Sequence, residues 1–144
     1  MTQRANDRQV GGLHYKKQEY QHWDFVCDTN LRYLIACASK YVSRWRGKNG
    51  LEDLRKSIHY LEKSIERLRF GTDGSLYAPT TTYQMRENMA EYSRKVNDFA
   101  IQFSGLEAAA IVAMCHGYYE VAIKAVEEII AVEVAATPTL PLSD

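Results

Sequence analysis

The stretch Leu51-Glu52-Asp53-Leu54-Arg55-Lys56-Ser57-Ile58-His59-Tyr60-Leu61-Glu62-Lys63-Ser64-Ile65-Glu66-Arg67-Leu68 decides the fold class. Leu51, Leu54, Ile58, Leu61, Ile65 and Leu68 recur at steps of three and four residues. A helix places such positions on one face; a strand does not. The apolar stripe is narrow, as in the seam of a helical hairpin or bundle. Just before it stands Gly47-Lys48-Asn49-Gly50, a turn signal with two helix-stopping glycines. Before that turn, Leu31, Leu34, Ile35, Ala38, Val42 and Trp45 repeat the helical spacing, and Asn30 suits the N-cap of that helix. Two helices joined by so short a connection predict an antiparallel hairpin.

Further out, a short helix is expected from about Glu19 to Cys27, around Trp23 and Phe25. Residues 1–18 read as an irregular arm jointed at Gly11-Gly12. Downstream, Gly71 to Ser75 is loop, and Pro79 precedes three threonines, Thr80 to Thr82, any of which can cap a helix. Met85, Met89, Tyr92, Val96, Phe99 and Phe103 again step by four and three, with Gly105 as the expected stop. Leu106 to Cys115 is apolar nearly all round, which predicts deep burial, and Gly117 breaks it. A last helix is expected from Tyr118 to about Val134, with Val121, Ala122, Ala125, Val126, Ile129 and Ile130 inside. Pro138 and Pro141 end the helical reading. No alternating pattern and no long repeat is present. The expectation is an all-α bundle of about five helices: an arm (1–18), a basic helical motif domain (19–70) and a C-terminal helical region (80–135) packed with it as one unit. The apolar segment 106–116 needs cover on several sides. Either a homo-oligomer supplies it or a compact five-helix monomer does.

Composition narrows the classes. The chain has 144 residues, 46% of them hydrophobic and 25% charged, as expected of a globular domain with a core. No apolar run reaches the roughly 18 residues that span a bilayer, and the polar N-terminus does not read as a signal peptide. Secretion and a membrane partner are therefore not expected. Cys27, Cys37 and Cys115 have no metal or disulfide spacing and read as reduced, mostly buried thiols in a cytoplasmic protein. The net charge of zero hides an asymmetry: residues 1–70 carry 14 of the 18 Lys and Arg but 8 of the 18 Asp and Glu. Either the front half meets an anion, or the two halves attract each other within or between subunits.

No phosphate loop, dinucleotide fingerprint or HExxH motif occurs, and His14, His22, His59 and His116 are scattered, which gives no catalytic residue, metal ligand or cofactor site. What stands out lies on either side of the Gly47–Gly50 turn. Lys40 and Arg44 share one helix face, Arg46 and Lys48 follow, and Asp53, Lys56, Tyr60 and Lys63 share a face of the next helix. A hairpin brings Lys40 and Arg44 opposite Lys56 and Tyr60. Arg offers a planar fork to phosphate, Lys a compact charge, and aromatic rings a surface for a base. The same residues equally fit a solvated basic face with Glu52 and Asp53 as ion-pair partners.

Three ordered stretches add to this: Val10-Gly11-Gly12-Leu13-His14-Tyr15, Gln21-His22-Trp23-Asp24-Phe25, and Lys40 through Leu61. Together they resemble a family of small tailed-phage proteins carrying a domain of unknown function (DUF3310), often labelled a phage nucleotide kinase. The resemblance covers about residues 10–70. The positions that match its pattern are His14, Tyr15, Trp23, Lys40, Tyr41, Arg44, Lys48, Asp53, Lys56 and Tyr60. Trp45 and His22 depart from it, standing where relatives often have another aromatic and a proline. The resemblance implies a nucleotide-type ligand in the cytoplasm of an infected bacterial host.

Two functions follow as expectations. The first is a binding protein that sequesters a phosphate-bearing nucleotide without turnover, such as a cyclic or ADP-ribose-type signal of bacterial immunity. Lys40, Arg44, Lys48 and Lys56 would hold phosphates, while His14, Tyr15, Trp23, Tyr41 or Tyr60 would contact base or ribose. The second is a nucleoside-monophosphate kinase without a phosphate loop, needing Mg²⁺ and ATP. Its metal would need carboxylates, and only Glu52 and Asp53 lie inside the basic motif. Nucleic acid is the least favoured partner, because the motif is too compact for a long phosphate track.

Overall fold

Among the described residues six α-helices form, on segments that carry an apolar stripe at helical period or, in one case, are apolar nearly all round, and no strand occurs. The computed structural model describes residues 4–7, 18–70, 88–103 and 105–137. The helices are α1 (His22–Thr29), α2 (Tyr33–Arg44), α3 (Leu51–Phe70), α4 (Met89–Ala100), α5 (Gly105–Cys115) and α6 (Tyr119–Ala136). Single 3₁₀ turns occupy Ala5–Asp7 and Trp45–Gly47. The described residues are therefore all-α, with six helices where the sequence suggested about five. His14, Tyr15, Met85 and the threonine cap lie outside the described residues.

Each front helix pairs with one back helix: α1 with α4, α2 with α5 and α3 with α6. Between them runs one core. Leu54 and Leu61 of the diagnostic stripe are fully buried, Ile58 and Ile65 partly so, and Leu68 lies at the exposed edge. The segment 106–116 does sink its apolar surface: Ala110, Ile111, Met114 and Cys115 are solvent-free, covered by α2, α4 and α6 of the same chain. Phe25 of α1 and Phe99 of α4 stack at 4.3 Å and 3°, with Tyr20 and His22 edge-on to both. Polar ties lock this arrangement. Ser57 donates to the Ala38 carbonyl across the α2–α3 seam (3.1 Å). His116 Nδ1 donates to the Val112 carbonyl (2.8 Å), so its Nε2 accepts from the Ser93 hydroxyl (3.0 Å) and ties α4 to the end of α5.

Several local expectations are corrected. Asn30 does not cap α2. It ends α1 in the left-handed conformation (φ 51°), its N–H bonded to the Val26 carbonyl, a role Asn fills because its short side chain tolerates that region. Leu31 is buried ahead of α2, which starts at Tyr33. The first helix begins at His22, not Glu19. Gly105 opens α5 instead of closing α4; the chain leaves α4 through Ile101–Phe103, where Ile101 N–H bonds Asn97 O and Phe103 N–H bonds Ala100 O. Val121 is 58% exposed because α6 turns Ala122, Val126 and Ile129 inward. Cys27 is exposed, whereas Cys37 and Cys115 are buried. The Ala5–Asp7 turn in the arm is tied to α1: Asn6 donates to Asp24 and accepts from Gln21.

His22 gives a pH prediction. It is buried, with its ring 2.9 Å from the Ser39 hydroxyl, and burial, reinforced by Lys40 and Arg44, pushes its pKa down to about 3. The unfolded chain takes up that proton near pH 6.5, so between these values the unfolded state binds more protons than the folded one. Stability should fall as pH drops from 6.5 towards 3. Urea midpoints are expected to decline more steeply over this range in the wild type than in His22→Gln. Parallel curves would refute the assignment.

Candidate functional site

The hairpin brings the basic residues onto one aromatic ring. Gly50, at φ +62°, lets the chain reverse between α2 and α3, and its N–H bonds back to the Trp45 carbonyl (2.9 Å). The reversal sets Lys56 of α3 beside Lys40, Tyr41 and Arg44 of α2. The Lys40 ammonium lies 5.0 Å from the Tyr41 ring centre, the Arg44 guanidinium 4.9 Å and the Lys56 ammonium 5.6 Å. Each falls within cation–π range. Tyr60 stands next to Tyr41, ring centres 5.7 Å apart, and Tyr33 next to Tyr60 at 6.2 Å and 68°. Hydrogen bonding to Tyr33 is the main cause that raises the Tyr60 phenol above its ordinary pKa.

Asp53 has a structural place in this site. Its carboxylate is buried and accepts from Arg44 Nε (3.2 Å) and Nη2 (3.4 Å) and from Asn49 N–H and side-chain amide (3.4 Å each). It joins the end of α2, the turn and the first turn of α3, where a negative charge also suits the helix dipole. Lys56 meets Glu52 at 3.9 Å with both side chains substantially exposed, an arrangement worth little.

The remaining sequence candidates go elsewhere. Lys63 pairs with Glu66 on the surface (2.9 Å). Arg46 lies over the buried Trp45 ring (4.4 Å) and pairs with the buried Glu107 of α5 (3.0 Å), which pins the hairpin end to the back half. Lys48 is exposed in the turn, and Trp23 is half-exposed on α1, away from the hairpin's ring contacts. Tyr33 escaped the sequence reading; its only signal was its place two helical turns before Tyr41 on α2. A groove of about 330 Å³ between α3 and α6, lined by Glu62, Ile65, Glu66, Arg69 and Glu120, is acid-rimmed and unsuited to phosphate.

Fold and site together define an all-helical protein with a cationic, tyrosine-lined helical hairpin. Residues 11–62 match the family described as a protein of unknown function (DUF3310). The match takes in α1, α2 and most of α3, with every residue of the Tyr41 cluster, and leaves out α4 to α6. No curated protein matches the chain, and no solved structure does. No described helix is long and apolar enough to cross a membrane.

Proposed function

We propose that the chain binds a phosphate-bearing nucleotide at the Tyr41 cluster and holds it without turnover. The observation that carries this reading is the convergence of Lys40, Arg44 and Lys56 on one ring, with Asp53 the one buried carboxylate beside them. Three cations against the buried Asp53 and the exposed Glu52 leave a net positive charge, which complements a phosphate monoester that is negatively charged at neutral pH. Tyr60, beside Tyr41, gives the same site a surface for a base. Kinase chemistry is less well supported, because the Asp53 carboxylate is occupied by Arg44 and Asn49.

The test is calorimetric titration of the full chain with dTMP, ATP, ADP-ribose and a cyclic dinucleotide, with and without Mg²⁺, followed by heat release and analysis of what returns. Intact nucleotide recovered without Mg²⁺ supports the reading; phosphoryl transfer from ATP, or no binding across the panel, overturns it. The double variant Lys40→Ala/Lys56→Ala is expected to lose at least about tenfold in affinity with little change in melting temperature, since neither side chain holds a buried charge. Undiminished binding by that variant would place the ligand elsewhere.

A further inference from the structure

We infer that Tyr33 is the base-contacting residue of this site, so that a ligand lies along the hairpin with its phosphate at Tyr41 and its base at the Tyr33–Tyr60 corner. The inference rests on the nucleotide reading above. The Tyr41 ring is surrounded by three cations between 4.9 and 5.6 Å from its centre, which gives that end of the site to anionic groups. One ring step away, the environment changes. Tyr60 and Tyr33 meet at 68° with centres 6.2 Å apart, a floor and a wall. A planar base stacked on one of these rings presents its edge to the other, and aromatic groups favour both contacts. Tyr33 is 71% exposed, so its face is open to such a ligand.

Position supports the same polarity. Tyr33 opens α2, and Tyr41 lies two turns on, about 12 Å along the axis. The 5.7 Å step from Tyr41 to Tyr60 separates the charged end from the corner by a distance short enough for a base and its own phosphate. Tyr33 brings no charge to the Tyr41 end, so its contribution should depend on the presence of a base.

The experiment compares ATP, dTTP and inorganic tripolyphosphate, ligands of similar charge with and without a base, by calorimetry on the full chain. Tyr33→Ala is expected to weaken ATP and dTTP binding about 10- to 100-fold, the usual range for one base–aromatic stack, and to leave tripolyphosphate unchanged. Tyr33→Phe should retain nucleotide affinity, and Lys56→Ala should weaken all three ligands. Wild-type nucleotide binding by Tyr33→Ala overturns the inference and leaves the nucleotide reading standing. Equal weakening of tripolyphosphate also overturns it, since Tyr33 would then act on the site as a whole. If neither nucleotide binds the wild-type chain, the nucleotide reading fails and the inference with it.

Discussion

Phe99→Ala is expected to destabilise the fold by about 3–5 kcal/mol, the range for deleting a buried aromatic side chain. Phe99 is solvent-free on α4 and meets four aromatic rings: Phe25 face to face at 4.3 Å, and Tyr20, His22 and Phe103 edge-on at 5.9, 5.6 and 5.2 Å. Removing it leaves a cavity among rings held by two separate stretches, residues 20–25 and Phe103 after α4, which cannot all collapse into it. Against a total stability of roughly 5–15 kcal/mol for a small domain, the loss is large. Urea denaturation is the measurement, and Phe99→Leu should cost clearly less because it fills most of the volume. Phe25→Ala should give a comparable loss, and the double variant less than the sum, because both remove the same stack. A loss below about 1 kcal/mol for Phe99→Ala would mean that α1 is not docked on α4 through this cluster.

That cluster also shows where the sequence was informative. Phe99 was readable as an inward position, because the burial it needs follows from local period, whereas Phe25 was marked only as part of a short helix beside Trp23, which is half-exposed. The six-residue stripe of α3 was readable for the same reason, and so was the hairpin, since Gly47–Gly50 interrupts two periodic segments. Their pairing across 74 residues was not readable, because nothing in either segment encodes its partner. Asn30 and Gly105 show a second kind of limit. Asn both caps helix starts and tolerates the left-handed conformation that ends them, so one residue supports two opposite readings. Glycine near a boundary marks the boundary without saying on which side the helix lies. In the site, Lys40, Arg44 and Lys56 were legible because the turn between them is short, and Asp53 because it is nine residues from Arg44 across that turn. Tyr33 and the Arg46–Glu107 pair were not, since their roles exist only after α2 has met α3 and α5.

Asp53→Ala is expected to cost about 3–5 kcal/mol, because it removes the buried carboxylate that pairs with the largely buried Arg44 guanidinium. The Arg44 side chain is only 15% exposed, and Asp53 takes both of its described hydrogen bonds along with two from Asn49. The sign of this effect separates two descriptions of the same carboxylate. If Asp53 serves the hairpin, removing Arg44 at the same time should recover part of the loss: Arg44→Met/Asp53→Leu should be more stable than Asp53→Ala alone, as when a buried ion pair gives way to apolar groups of similar volume. If Asp53 were instead a free Mg²⁺ ligand, its removal would abolish chemistry and leave stability nearly unchanged or improved, since an unpaired buried acid costs free energy in the metal-free protein. Urea midpoints for Arg44→Met, Asp53→Leu and Arg44→Met/Asp53→Leu, measured beside the wild type without Mg²⁺, complete the cycle. A coupling between the positions below about 0.5 kcal/mol would remove Asp53 from the role of holding Arg44 beside Tyr41. A coupling of several times that size makes the geometry of the cationic ring a property of the folded hairpin, present before any ligand arrives.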